Sequence, residues 1–191
     1  MSPRTAAQNQ ALRDESRERI VEAALQLFAE HGYERTSVKQ IAATAGVAQG
    51  LLYSHFVSKE ALLRAIFEQS VADVQESFAR AAAGQGSPVE RQVRAAFAVL
   101  QEREAFWRLS YGVRLQRSVV AALGNDLHDW TAQIRTQLEA AFHERGSSSP
   151  SVEAAVLFAL IDGVAQHYLL DPANYPLEAV MTRIVKLIEG Q

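Results

Sequence analysis

Gln49, Gly50, Leu51, Tyr53 and Ser54 fall close together in the chain, and side chains of these types can read DNA. The Gln49 carboxamide suits bidentate pairing with an adenine edge, and Leu51 suits contact with a thymine methyl. Upstream, Lys39 can reach a guanine or a phosphate. Such reading requires a short helix that presents these side chains to a major groove. Competing chemistry is thin. His128 stands beside Asp129 and His167 lies near Asp171, which sets imidazoles close to carboxylates. No serine or other nucleophile has a defined place beside either pair, so surface or capping pairs account for them. The sequence has no phosphate-cradling glycine loop, no HExxH pair and no nucleophile elbow, and an enzyme is not expected. With no cysteine there are neither disulfides nor thiolate metal sites, and the sequence implies no metal and no cofactor.

The elements that must hold the candidate readers are legible from residue 37 to residue 59. Ser37 precedes Gln40 by three residues, the spacing of a capping box at a helix start. Val38, Ile41, Ala42 and Ala45 then form an apolar stripe at helical spacing. Gly46 follows where a left-handed cap residue is wanted, and Val47 can pack back on the helix that it ends. In the next short helix Leu52 and Phe56 face inward, which leaves Gln49, Gly50, Leu51, Tyr53 and Ser54 toward solvent or DNA. Ser58 is placed to cap a further helix, with Lys59 and Glu60 in its first turn. Two short helices joined by a tight turn form a helix-turn-helix. Neither helix folds alone, so the unit needs a longer helix on each side.

The run Thr36-Ser37-Val38, Ile41-Ala42, Ala45-Gly46-Val47, Gly50, Leu52-Tyr53, His55-Phe56, Lys59-Glu60 and Leu63 resembles the N-terminal signature of the TetR family of transcriptional repressors. Gly32 and Tyr33, which close the preceding helix, fit as well. The resemblance covers roughly residues 16–63. It implies that Thr36, Tyr53 and Lys59 grip phosphate, and that the DNA-facing set also takes in Ser37, Ser54 and His55. His55 reads better as a packing or hydrogen-bonding residue than as a base reader. Two positions depart from the family pattern. Ala48 stands where many relatives carry a capping serine or threonine, and Leu51 is bulkier than the residue often found there.

The rest of the chain reads as helices. Residues 1–13 are expected to form a flexible arm, residues 14–60 a three-helix DNA-binding domain, and residues 61–191 a helical ligand-binding and dimerisation domain. The whole is then all-α with about nine helices. Gly84 to Pro88 and Gly146 to Pro150 are breaks, and Gly112 and Gly124-Asn125 mark internal boundaries. Phe97, Phe106, Trp107, Tyr111, Trp130, Phe142 and Phe158 offer an apolar ligand pocket, with Arg108, Arg114, Gln116, His128 and Asp162 as polar candidates. The resemblance further implies a homodimer whose last two helices build a four-helix bundle across the two-fold axis. Val156, Leu160, Gly163, Val164 and His167 share one face of the first of these helices, and Val180 and Ile184 lie on the second.

Composition and charge bound the partners. At 191 residues and 48% hydrophobic content the chain suits a small DNA module plus a helical body. The net charge of −3 does not advertise nucleic acid, and residues 1–60 balance to zero. Any positive surface must come from placement of Arg35, Lys39, Lys59 and the arm. No secretory leader is apparent, and the run Ala154 to Ile161, which stops at Asp162, is too short to span a bilayer. A cytoplasmic protein without a membrane partner is expected. The function expected is a repressor released from a palindromic double-stranded operator by a small, largely apolar effector. The alternative is a helical interaction module without specific DNA binding.

Overall fold

The computed structural model describes residues 6–114, 116, 119–120, 123–124 and 126–190. Among them are nine α-helices and no strand: α1 Ala6–His31, α2 Val38–Thr44, α3 Gln49–His55, α4 Lys59–Ala82, α5 Pro88–Glu102, α6 Glu104–Arg114, α7 Asp126–Glu144, α8 Pro150–Leu170 and α9 Leu177–Glu189. Contacts divide the chain into two units. One holds residues 1–70 and 108–123, and the other holds 71–107 and 124–191. The division falls inside α4 and inside α6, so each of these helices contributes residues to both units.

In the first unit α1, α2 and α3 pack on one another. Ile20, Ala24 and Phe28 of α1 are buried together with Ile41, Ala42 and Ala45, with Leu52 and Phe56, and with Leu62, Leu63 and Ile66 of α4. These are the apolar stripes of four amphipathic helices turned inward. α1 starts at Ala6, inside the stretch expected to be an arm. Residues 6–13 are rich in alanine and other good helix formers, and Gln10 Nε2 donates to Asp14 Oδ1 at 2.9 Å one turn on. Residues 1–5 of that arm, and Asn125 of the Gly124-Asn125 boundary, lie outside the described residues.

The second unit is built around α5, which touches α7, α8 and α9, while α7 lies along α8. Ser87 caps α5, its Oγ accepting the Glu90 N–H, and Pro88 occupies the first turn. Val89, Val93, Phe97 and Leu100 then bury one face of α5. α8 runs well past the apolar stretch Ala154 to Ile161. By length and composition it is the one described helix apolar enough to cross a membrane, and 28% of its most apolar window is buried. Asp162 stays half-exposed on its flank and accepts a bond from Gln166 at 3.1 Å.

Candidate nucleic-acid interface

The start of α2 is fixed by its own side chains. Ser37 is extended, at φ −96° and ψ 151°. Its Oγ accepts the Gln40 N–H at 3.2 Å, while Gln40 Oε1 accepts the Ser37 N–H at 2.8 Å. A reciprocal cap of this kind is worth about 1 kcal/mol. At the other end Gly46 turns left-handed at φ +64°. The Gly46 N–H donates to the Ala43 carbonyl at 3.2 Å and the Val47 N–H to that of Ala42 at 3.0 Å, the paired closure of a Schellman cap. α3 then begins at Ala48, which is extended and offers no side-chain cap.

That turn sends α3 across the unit with two faces. Leu52 and Phe56 are buried at 1% and 5% exposure. Gln49, Gly50, Leu51, Tyr53 and Ser54 all lie on the outside, with Leu51 and Tyr53 at 41% and 48%. Lys39 is exposed on α2, and the Ser54 hydroxyl is turned back to donate to the Leu51 carbonyl at 2.7 Å. An uncovered tyrosine and leucine beside a free carboxamide form a surface with both hydrogen-bonding and apolar reach.

Three residues of the expected DNA-facing set point elsewhere. Thr36 is 2% exposed. Its hydroxyl donates to the Gly32 carbonyl at 2.9 Å and lies 3.2 Å from that of Leu27, so it braces the α1–α2 turn and is not offered to phosphate. His55 turns toward α1, with Nε2 2.9 Å from Ser16 Oγ. The Ser16 hydroxyl also donates to the Arg13 carbonyl at 2.8 Å. Burial, and then the charges of Arg13 and Arg17, hold the His55 pKa below its ordinary value.

Lys59 is the third. Its Nζ donates to the carbonyls of Tyr33 at 3.0 Å and Thr36 at 3.2 Å, and it lies 4.3 Å from the centre of the Tyr33 ring. The expected phosphate clamp is thus engaged within its own domain. Around it, burial and then the carboxylates of Glu60 and Glu34 push the Tyr33 phenol up, while the Glu60 carboxyl is drawn down by its own backbone N–H and the Ser58 hydroxyl. Polar residues at helix ends carry no periodicity signal, so none of these inward turns is readable from spacing.

In the second unit Phe106, Trp107 and Trp130 come together. Phe106 lies 5.4 Å from Trp107 and 5.5 Å from Trp130, and the two indoles are 5.6 Å apart. Phe97 is buried in the same unit, whereas Phe158 and Asp162 are half-buried on α8. Tyr111 belongs to the first unit, where Arg114 stacks over its ring at 4.6 Å. The expected interface residues separate as well. Val156 and Leu160 are exposed at 57% and 39%, His167 is exposed, and Gly163, Val164 and Val180 are half-covered. Ile184 is a correction. It is buried with Leu177 and Met181, which precede it at helical spacing on the inner face of α9. Val152, at 63%, extends the open face of α8 and was absent from the expected set. Among the described residues no group of His, Asp and Glu is placed to hold a metal ion.

Residues 20–66, the span that carries this helix-turn-helix, match the model of the bacterial regulatory proteins of the tetR family. That span is a TetR-family helix-turn-helix. The chain is 32% identical over 145 residues to the A-factor receptor protein of Streptomyces griseus, a stretch that takes in 74% of the chain. It covers 49% of that receptor, so the chain spans about half that relative's length. A transcriptional regulator from Rhodococcus superposes with a TM-score of 0.76 at 25% identity, over 91% of this chain and 94% of that one. FadR from Bacillus subtilis, solved with stearoyl-CoA, superposes at 0.74 with 19% identity over 90% and 96%. That likeness establishes the shared fold.

Proposed function

We propose that this chain is a homodimeric regulator of transcription that represses from a palindromic operator and is released by a small, largely apolar ligand. The observation that carries this reading is the outer face of α3. Gln49, Gly50, Leu51, Tyr53 and Ser54 are uncovered on a helix whose other side is locked down by Leu52 and Phe56. Gln49 reads an adenine, Leu51 meets a thymine methyl, and Tyr53 holds a phosphate. Ser37 sits at the exposed start of α2, with Lys39 close by, next to the backbone. One such helix reads few base pairs, and two-fold pairing doubles the site. The open aliphatic face of α8 suits that pairing.

An aromatic-rich second unit supports an apolar effector, and the stearoyl-CoA held by the FadR of Bacillus subtilis supports a long apolar ligand with a polar end. Ligand acts by favouring the state that binds DNA poorly, through a shift of α4 that alters the spacing of the two reading heads. The zero net charge of residues 1–60 favours a second reading, a helical interaction module. Selection of bound duplexes from a randomised pool separates the two. Recovery of a palindrome with two half-sites is the expected result, and recovery of only a salt-sensitive background would defeat DNA reading.

A further inference from the structure

The zero net charge of residues 1–60 hides a sorting of charge around α1. Ser16 and Ile20 are buried and define its inner side. To one side of that line stand Arg13 and Arg17, one turn apart and both exposed. The Arg17 guanidinium lies 5.3 Å from the centre of the Phe56 ring. Both charges act on His55, which reaches Ser16 from the end of α3. Asp14, which also acts on His55, accepts the Gln10 amide at 2.9 Å. To the other side stand Glu18, Arg19 and Glu22, which line an open groove with Thr44 and Ala45 at the end of α2. Arg19 thus sits among carboxylates, whereas Arg13 and Arg17 form no ion pair among the described residues. In the second unit, by contrast, Arg80, Arg91, Arg94 and Arg103 each pair with a carboxylate.

We infer that the Arg13–Arg17 flank of α1 is a phosphate-binding surface for the duplex backbone, an inference that rests on the proposed reading by α3 and deepens it. His55 follows Leu51 by one turn, so this flank borders the Leu51 edge of the reading face, and Tyr53 lies on the other edge. A major groove about 12 Å wide runs between two phosphate walls, and a helix with its side chains nearly fills it. Tyr53 then holds one wall, and Arg13 with Arg17 holds the other. The planar guanidinium fork suits phosphate oxygens, and contacts of this kind fix register without reading sequence. Glu18 and Glu22, turned to the groove at the α2 end, stay clear of that wall.

The test compares the full chain with the double variant Arg13→Gln and Arg17→Gln, both folded by circular dichroism, on the duplex selected from the randomised pool. Affinity is measured across a salt series. The double variant is expected to bind more weakly, with the slope of log affinity against log salt shallower by about 1.8, or about 0.9 for each lost phosphate contact. Its disadvantage then shrinks about tenfold between about 50 and 200 mM salt, while the selected consensus stays the same. Arg19→Gln removes a charge from the groove side of the same helix and is expected to leave the slope unchanged. A wild-type slope in the double variant, or an equal change per charge in Arg19→Gln, would overturn the inference. An altered consensus would make these arginines base readers and overturn it too. If loss of Arg17 from the Phe56 ring unfolds the double variant, Arg13→Gln alone decides, with an expected change of about 0.9. Failure of the wild-type chain to select any duplex sinks the reading by α3 and this inference with it. A wild-type slope in the variant on a selected duplex sinks the α1 flank alone.

Discussion

Single side chains divide the interface into readers and braces. Gln49 is uncovered on α3 and is proposed to meet a base edge, so Gln49→Ala should relax preference at one base pair of the half-site by about 1–3 kcal/mol. Repeating the pool selection with the variant measures this, and an unchanged consensus would remove Gln49 from the readers. His55 is a brace, and its effect has a sign. Its folded pKa lies below the ordinary 6.5, so the unfolded chain takes up the proton first as pH falls. The stability contributed by the neutral ring is complete above the ordinary value and is lost as pH falls toward the folded one. The melting temperature should therefore drop as pH falls through the ordinary 6.5 and below it, and less steeply in His55→Gln. Glu60, also held low, adds a loss of the same sign in more acid solution. Parallel melting curves for the two proteins would contradict the His55 assignment.

At the level of helices, much was legible because periodicity and caps are local. The box at Ser37 and Gln40, the closure at Gly46, and the buried pair Leu52 and Phe56 all stand where the residue pattern places them. What spacing does not carry is the direction of a polar side chain at a helix end. Thr36, His55 and Lys59 answer to carbonyls and a hydroxyl supplied by other helices or turns, which only the folded chain brings near. Ile184 is a different case. Leu177, Met181 and Ile184 form a stripe at helical spacing that marks the inner face of α9. Ala48 remains a weak point of α3, since the backbone there is already extended, at φ −68° and ψ 142°, with no oxygen to accept from the first turn. Ala48→Ser should stabilise the chain by about 0.5–1 kcal/mol. Equilibrium urea unfolding measures the gain, and a loss of stability would mean that serine cannot reach the first-turn N–H groups here.

For the whole chain, the open face of α8 is the surface proposed to pair two copies. Val152, Val156 and Leu160 expose a row of aliphatic carbons on one helix, a surface that water disfavours and a second copy would cover. Introducing charge there, with Val156→Glu and Leu160→Glu together, should convert the proposed dimer to monomer in sedimentation velocity while helical content is kept. A double variant that still sediments as a dimer would place the interface elsewhere. The same face has a genetic corollary. The pairing proposed there takes no account of what α3 is proposed to read. A chain bearing Gln49→Ala keeps Val156 and Leu160, enters mixed pairs with the normal chain, and takes one sound reading head out of service in each. In a cell that expresses both, damage to α3 is then dominant and damage to α8 is recessive.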